Sequence, residues 1–274
     1  MNSQHTPGLN EIAAILDDAA CSRQAIEQLG LQIGIANAYK AQALSIARRI
    51  ARGERKVGVK MGLTSKAKMQ QVNLKDVLWG RLTDGMLMEN GGVLDIDDFI
   101  QPRAEPEIAF RLRKPLAGRI TELEAWDAIE GIAPAIEILD SRFKSFKFNV
   151  DDAIADNCSS SAFFIGPWHK PDTDFGNLGM SLEIQGHPVA VSSSSAILGH
   201  PIRTLVAAAR LTEQYGGCLE AGDVFLSGAS TAAFPLQAGM HVRVRVQSLG
   251  RCGFSVTSRK SAPFPRYCSQ EPFN

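Results

Sequence analysis

The chain has 274 residues, 45% of them hydrophobic and 21% charged, and its 29 lysines and arginines balance 29 aspartates and glutamates. That composition belongs to a folded protein in water rather than to a disordered one. A formal net charge of zero gives no field for a nucleic acid or an anionic membrane surface, so neither is expected as a partner.

Across residues 9–52 apolar side chains recur at three- and four-residue steps (Ile35, Tyr39, Ala43, Ile46, Ile50), the period of amphipathic helices, and Gly53 suits a helix end. Two or three helices are predicted. Beyond Gly53 the period drops to two, in KVGVKMGL, EPEIAFRLR, PAIEILD, MSLEIQG and MHVRVRVQ, each bounded by Gly, Pro, Asn or Asp. Helices are expected to interrupt these strands twice: after Thr121, where Glu124 completes a capping box ahead of Gly131, and over about 201–216. From 250 to 274 the alternation is lost, which predicts a loosely ordered tail. The class is α+β, organised as a helical segment (1–53), a β-rich body (54–249) and the tail.

The start, MNSQHTPGLNEI, lacks a basic stretch followed by an apolar one, and no run of about 18 apolar residues occurs, so a cytoplasmic protein is expected. The five cysteines form no CxxC pair and the five histidines no HExxH, which disfavours a disulfide framework and a zinc site alike. Any metal must then be held mainly by oxygen. There is no GxSxG elbow and no glycine-rich phosphate loop.

In EPEIAFRLR the strand period puts Glu105, Glu107, Ala109 and Arg111 on one face and Pro106, Ile108, Phe110 and Leu112 on the other. Two carboxylates side by side repel unless water or a cation lies between them, and Pro106 suggests an edge or a bulge. Glu137 stands between Ile136 and Ile138, an acid in an apolar strand. Convergent carboxylates suit a hard cation such as Mg²⁺ or Mn²⁺; for Glu105 and Glu107 a solvated strand face is an equally good account. Lys60 has Gly58 and Gly62 beside it on one face of KVGVKMGL, and strand glycines mark a ligand or a backbone at close range. A lysine there is a candidate acid or base, its pKa open to lowering by burial, and a surface lysine beside a bulge is the plainer alternative. ADNCSSSAFFIG and SGASTAAFPL set hydroxyls and N–H groups before apolar runs, able to orient a carboxylate or merely to build a turn.

In this order, GVKMGLTSKAKM, WGRLTDGM, PRAEPEIAF, AIEILDSRFKSFKF and ADNCSSSAFFIG resemble the hydratase and decarboxylase family of catechol meta-cleavage pathways, within the fumarylacetoacetate hydrolase-like fold group. The resemblance extends to about Leu249. It implies helices followed by a mixed β-roll, with Mg²⁺, or Mn²⁺ in its place, on Glu105, Glu107 and Glu137. It further implies Lys60 as an acid/base on a mobile loop, Asp84 as its polar partner, and Ser161 and Thr231 as substrate contacts. GVKMGLTSKAKM and SFKF look like the decarboxylase branch, since hydratases tend to read GWKIGLTS and DWKI. The implied reaction is decarboxylation of a small 2-oxo dicarboxylate, 2-oxo-3-hexenedioate, to 2-hydroxypenta-2,4-dienoate, with hydration of that dienoate on the same metal site as the alternative and the pathway's vinylpyruvate hydratase as a partner. A hydrolase would need a His–Glu pair to activate water, and no convincing pair is found. Arg142, Lys144 and Lys147 lie near enough in sequence to steer the departing carboxylate, but a strong salt bridge would stabilise the ground state. An apolar or weakly polar distal pocket is expected.

Overall fold

The computed structural model describes residues 7–64, 69, 76–172 and 174–260. Two helices open it, α1 (Leu9–Ser22) and α2 (Ile35–Ala51). Asp17 of α1, 3% exposed, ties them together by accepting from Arg48 Nε at 2.6 Å and from both terminal nitrogens of Arg52 at 2.7 Å. Gly53 ends the pair with φ +106°, a conformation that glycine reaches at no steric cost. Among the described residues no helix is long and apolar enough to cross a membrane.

The body is built from β1 (Lys56–Gly62), β2 (Leu78–Thr83), β3 (Leu87–Met88), β4 (Val93–Asp95), β5 (Arg103–Leu112), α3 (Glu122–Asp127), β6 (Ile129–Leu139), α4 (Val150–Ala155), β7 (Ser160–Ile165), β8 (Gly179–Ile184), β9 (His187–Ser193), α5 (Pro201–Gln214), β10 (Val224–Leu226), β11 (Phe234–Pro235), β12 (His241–Val246) and β13 (Gly250–Thr257). One sheet runs β2-β1-β10-β5-β6-β7-β3 with β11 added on β5; the other runs β4-β13-β12-β8-β9. Both are mixed, since β1 with β10, β3 with β7 and β4 with β13 are parallel pairs. The sheets share a core in which Phe164 of β7 stacks on Phe254 of β13 at 4.2 Å, each fully buried and contributing about 2 kcal/mol by burial.

The capping box forms as expected, Thr121 and Glu124 each accepting from the other's backbone, but α3 stops at Asp127 because β6 begins at Ile129. Two expectations need correction. Gly250–Thr257, expected as the start of a loose tail, is strand β13, with Cys252, Phe254 and Val256 buried and Arg251, Gly253 and Ser255 facing out; residues 261–274 lie outside the described residues. Pro106 is neither at an edge nor in a bulge. It lies in β5, between β6 and the segment joining β10 to β11, and its carbonyl accepts from Ser230 N at 3.2 Å. In a strand the N–H and C=O of one residue point to the same side, so its missing donor faces a loop and breaks no ladder.

Candidate metal centre and its cavity

The β5–β6 register sets Glu105 directly opposite Glu137, and the strand period sets Glu107 beside Glu105 on the same face. One oxygen from each carboxylate lies within 4.8 Å of the other two. Glu105 is 8% exposed, Glu107 and Glu137 not at all. Two donors orient the acids: Gly228 N–H gives to Glu107 Oε2 at 2.8 Å, and Ser160 Oγ gives to Glu137 Oε1 at 2.8 Å. Lys60, 2% exposed, forms an ion pair with Glu137 Oε2 at 3.0 Å. That contact lacks hydrogen-bond alignment, and Glu107 Oε1 has no hydrogen-bond partner at all.

Among the described residues Lys60 is the ammonium group ion-paired inside this cluster, and Glu107 Oε1 is left without a donor. A buried carboxylate oxygen without a donor is costly, so Glu107 favours taking up a proton or a cation. Burial, joined by the charges of Glu137 and Glu105, pushes Glu107 well above the usual carboxylate range, against the pull of Lys60 and the Gly228 N–H. For Lys60 burial acts downward, yet Glu137, Cys158, Glu105 and Glu107 together hold it above the ordinary lysine value. This reverses the expectation of a lowered pKa: the cluster keeps Lys60 charged. An all-oxygen donor set with an orphaned buried oxygen fits a hard divalent cation, which takes carboxylates and water in preference to sulfur or imidazole.

Beside the cluster lies a cavity of about 410 Å³, bordered by Lys60 and Glu105 and walled mainly by apolar groups, among them Met61, Leu63, Leu78, Leu139, Phe146 and Phe148. Its polar side chains are Thr64, Asn149, Cys158 and Ser159, and among the described residues no histidine or arginine lines it. Phe146 stands on a turn where Ser145 and Phe146 both have left-handed φ, +56° and +55°, with the Arg103 guanidinium 4.0 Å above its ring.

The structure brings Glu105, Glu107, Glu137 and Lys60 together, but Lys60 sits in strand β1 and not on a mobile loop. Asp84 does not reach it. With Lys56 opposite Thr83 and Lys60 opposite Gly80, Asp84 falls at the far end of β1, about 13 Å along the strand, where it accepts from Arg55 N and Nε at 2.8 and 2.9 Å. Ser161 accepts from Arg142 Nη1 at 2.9 Å, and its neighbour Ser160 touches Glu137 instead. The Thr231 hydroxyl donates to the Ala232 carbonyl at 3.1 Å, two residues past cavity-lining Ala229. Arg142 is committed to the buried carboxylate of Asp156 and Lys144 to Glu27, so neither lines the cavity, nor does Lys147. Ser160, Gly228 and the two phenylalanines escaped sequence reasoning. The only signal for the first two was that their serine- and glycine-rich segments precede apolar runs.

An α+β roll with three buried carboxylates converging beside a largely apolar cavity has the frame of a metal-dependent enzyme site. The family model for the fumarylacetoacetate (FAA) hydrolase C-terminal domain matches residues 50–257, and the chain belongs to that family. A 4-oxalocrotonate decarboxylase of Pseudomonas sp is 51% identical over 254 residues, which are 92% of this chain and 99% of that protein. A 2-hydroxyhexa-2,4-dienoate hydratase of Comamonas testosteroni is 34% identical over 231 residues, 82% of this chain and 88% of its own. Among solved structures, 4-oxalocrotonate decarboxylase from Pseudomonas putida G7, complexed with magnesium and adipate, matches with a TM-score of 0.88 and 32% identity over 90% of this chain and 97% of that one.

Proposed function

We propose that this protein is a Mg²⁺-dependent carboxy-lyase that converts 2-oxo-3-hexenedioate and a proton into 2-hydroxypenta-2,4-dienoate and CO₂. The observation that carries this reading is the buried Glu105, Glu107 and Glu137 cluster with an orphaned oxygen, opening on a largely apolar cavity. The 51% identity to a 4-oxalocrotonate decarboxylase over nearly the whole chain directs it to this reaction. Glu105, Glu107 and Glu137 are the residues that would hold Mg²⁺, with Mn²⁺ as a substitute, and the cation would supply Lewis acidity toward the 2-oxo group of the substrate.

The remaining parts follow from the chain's own residues. Loss of CO₂ drives an electron pair through the 3,4-double bond onto the carbonyl oxygen, and the dienol product needs one proton there. Lys60, buried beside these acids and within 3.0 Å of Glu137 Oε2, is the proton donor. Ser160 and Gly228 fix the two deepest carboxylates. Phe146 and Phe148 wall the cavity with apolar surface, so the departing carboxylate forfeits little binding as it leaves. Thr231 is assigned to substrate contact through its closeness in sequence to Ala229. The location is assigned to the cytoplasm, and the hydratase that consumes the dienol is the expected partner.

Hydration of 2-hydroxypenta-2,4-dienoate on the same centre is the second reading, favoured by the 34% identical hydratase. Purified protein is mixed with 2-oxo-3-hexenedioate with and without Mg²⁺ while CO₂ and dienol absorbance are followed. Mg²⁺-dependent CO₂ release is the expected result. Mg²⁺-dependent consumption of the dienoate without CO₂ release moves the reaction to hydration, and inertness toward both removes the proposal.

A further inference from the structure

Four glycines stand on the strands and loop around the centre, and three of them are required by the protein itself. A Cβ at Gly58 would lie 1.8 Å from the Val224 carbonyl oxygen, and one at Gly80 would lie 2.8 Å from the Asn157 carbonyl oxygen. Gly228 combines a φ of +98° with Thr64 Cγ2 at 2.4 Å from any Cβ placed on it. These three positions have no room for a side chain.

Gly62 is different on both counts. It is the last residue of β1, outside the left-handed region, so its dihedral angles suit any residue. Among the described residues a Cβ there would meet nothing nearer than Cys158 Cβ at 3.9 Å and the Leu78 carbonyl oxygen at 4.0 Å, both ordinary van der Waals contacts. Glycine weakens a strand, by lost entropy and by lost packing, and here neither the backbone nor any described neighbour calls for it. Yet Gly62 borders the cavity and follows Lys60 by two residues, which sets both on one face of the strand.

We propose that Gly62 determines substrate specificity: the side chain it lacks is space used by the ligand, which lies against the bare β1 backbone beside Lys60. The ligand class is an unbranched 2-oxo dicarboxylate, because a straight chain approaches a backbone at van der Waals distance where a branched one does not. A side chain at 62 therefore displaces the ligand and leaves the protein undisturbed. This rests on the reading of the cavity as a 2-oxo dicarboxylate site, and its test separates the two.

The test uses the full chain with Gly62→Ala and Gly62→Val, and four readings: melting temperature, Mg²⁺ binding by calorimetry, binding of 2-oxoadipate in Mg²⁺, and turnover of 2-oxo-3-hexenedioate. 2-Oxoadipate has the same length and end groups but lacks the double bond that decarboxylation needs. Gly62→Ala is expected to melt at or above the wild-type temperature and to keep its Mg²⁺ affinity within twofold, while 2-oxoadipate binding and kcat/KM weaken at least tenfold; Gly62→Val is expected to lose binding. An alanine variant that binds and turns over like the wild type overturns the proposal. So does one whose melting temperature or Mg²⁺ affinity falls together with ligand binding, since the space is then used by the protein, and so does wild-type protein that fails to bind 2-oxoadipate. Wild type that binds 2-oxoadipate but releases no CO₂ from the hexenedioate removes the decarboxylase reading, and the Gly62 proposal then stands or falls on the binding series.

Discussion

Two groups of buried acids in this molecule have opposite fates. Around α4, every acid is met by donors: Asp152 accepts from Gln28 Nε2, Gly30 N and Leu31 N at 3.0, 3.2 and 3.0 Å, and Asp140 accepts from Ile100 N and Gln101 N at 2.8 and 2.6 Å. Asp156 is paired with the Arg142 guanidinium and also accepts from the Arg142 N–H at 3.2 Å. In the sheet, Lys60 is ion-paired with Glu137 through an oxygen that lacks hydrogen-bond alignment, and Glu107 Oε1 has no donor. Burial is common to both groups and so identifies neither. What separates them is the supply of donors: the acids around α4 are saturated and staple it and the interhelical linker to the roll, whereas Glu107 and Glu137 each keep a buried oxygen without a hydrogen-bond donor, which suits a cation.

That contrast can be broken by experiment. The largest effect is expected from Glu107→Gln. It removes a ligand whose cation supplies several kcal/mol of charge stabilisation, so kcat/KM should fall on the order of a thousandfold, while the metal-free protein melts no lower because burial already disfavours the Glu107 carboxylate there. Wild-type rates at limiting Mg²⁺ would refute a ligand role. Arg142→Ala should act in the reverse manner, costing about 3 kcal/mol in denaturant unfolding by stranding Asp156, with kcat of the folded fraction retained. If its activity collapses while stability holds, the division between stapling and binding acids fails.

Lys60→Ala should lower kcat on the order of a hundredfold with a smaller change in KM, and an unchanged kcat would take Lys60 out of proton transfer. Ser160→Ala removes one hydrogen bond to Glu137, worth about 1 kcal/mol, and should slow turnover roughly fivefold; Ser161→Ala should leave turnover within about twofold, and equal losses would erase the distinction between the neighbours. The smallest effect concerns pH. Burial, outweighing Arg142, raises Asp156 from 3.8 to about 6. Between those values the folded state binds more protons than the unfolded, so this group's stability contribution, full below 3.8, is lost as pH rises through about 6. Melting curves over pH 3.8 to about 6 should show that downward component in the wild type and its absence in Asp156→Asn.

Strand phase was legible in the local sequence. It set Glu105 with Glu107 against an apolar opposite face, and it marked Glu137 as an acid between two isoleucines, because side-chain alternation depends only on neighbours along the chain. Helix α3 was readable in its start, where the Thr121 and Glu124 partners lie three residues apart, and less so in its end, which the onset of β6 decides. The Ser160 contact with Glu137 was not legible, because Asn157, Cys158 and Ser159 run left-handed, at φ +50°, +50° and +60°, and a turn of that kind carries no strand period into β7.

By itself the sequence determined the class, the helices ahead of the strands, and which side chains share a face, all properties of short stretches of chain. Tertiary structure alone decided that Glu137 stands opposite Glu105, that Asp84 pairs with Arg55 rather than Lys60, that Pro106 can sit inside a sheet, and that Lys60 is held charged. Each of these depends on which strands pair, at what register, and how many charges burial gathers around one atom. Those are interactions between residues distant in the chain, and no local period encodes them.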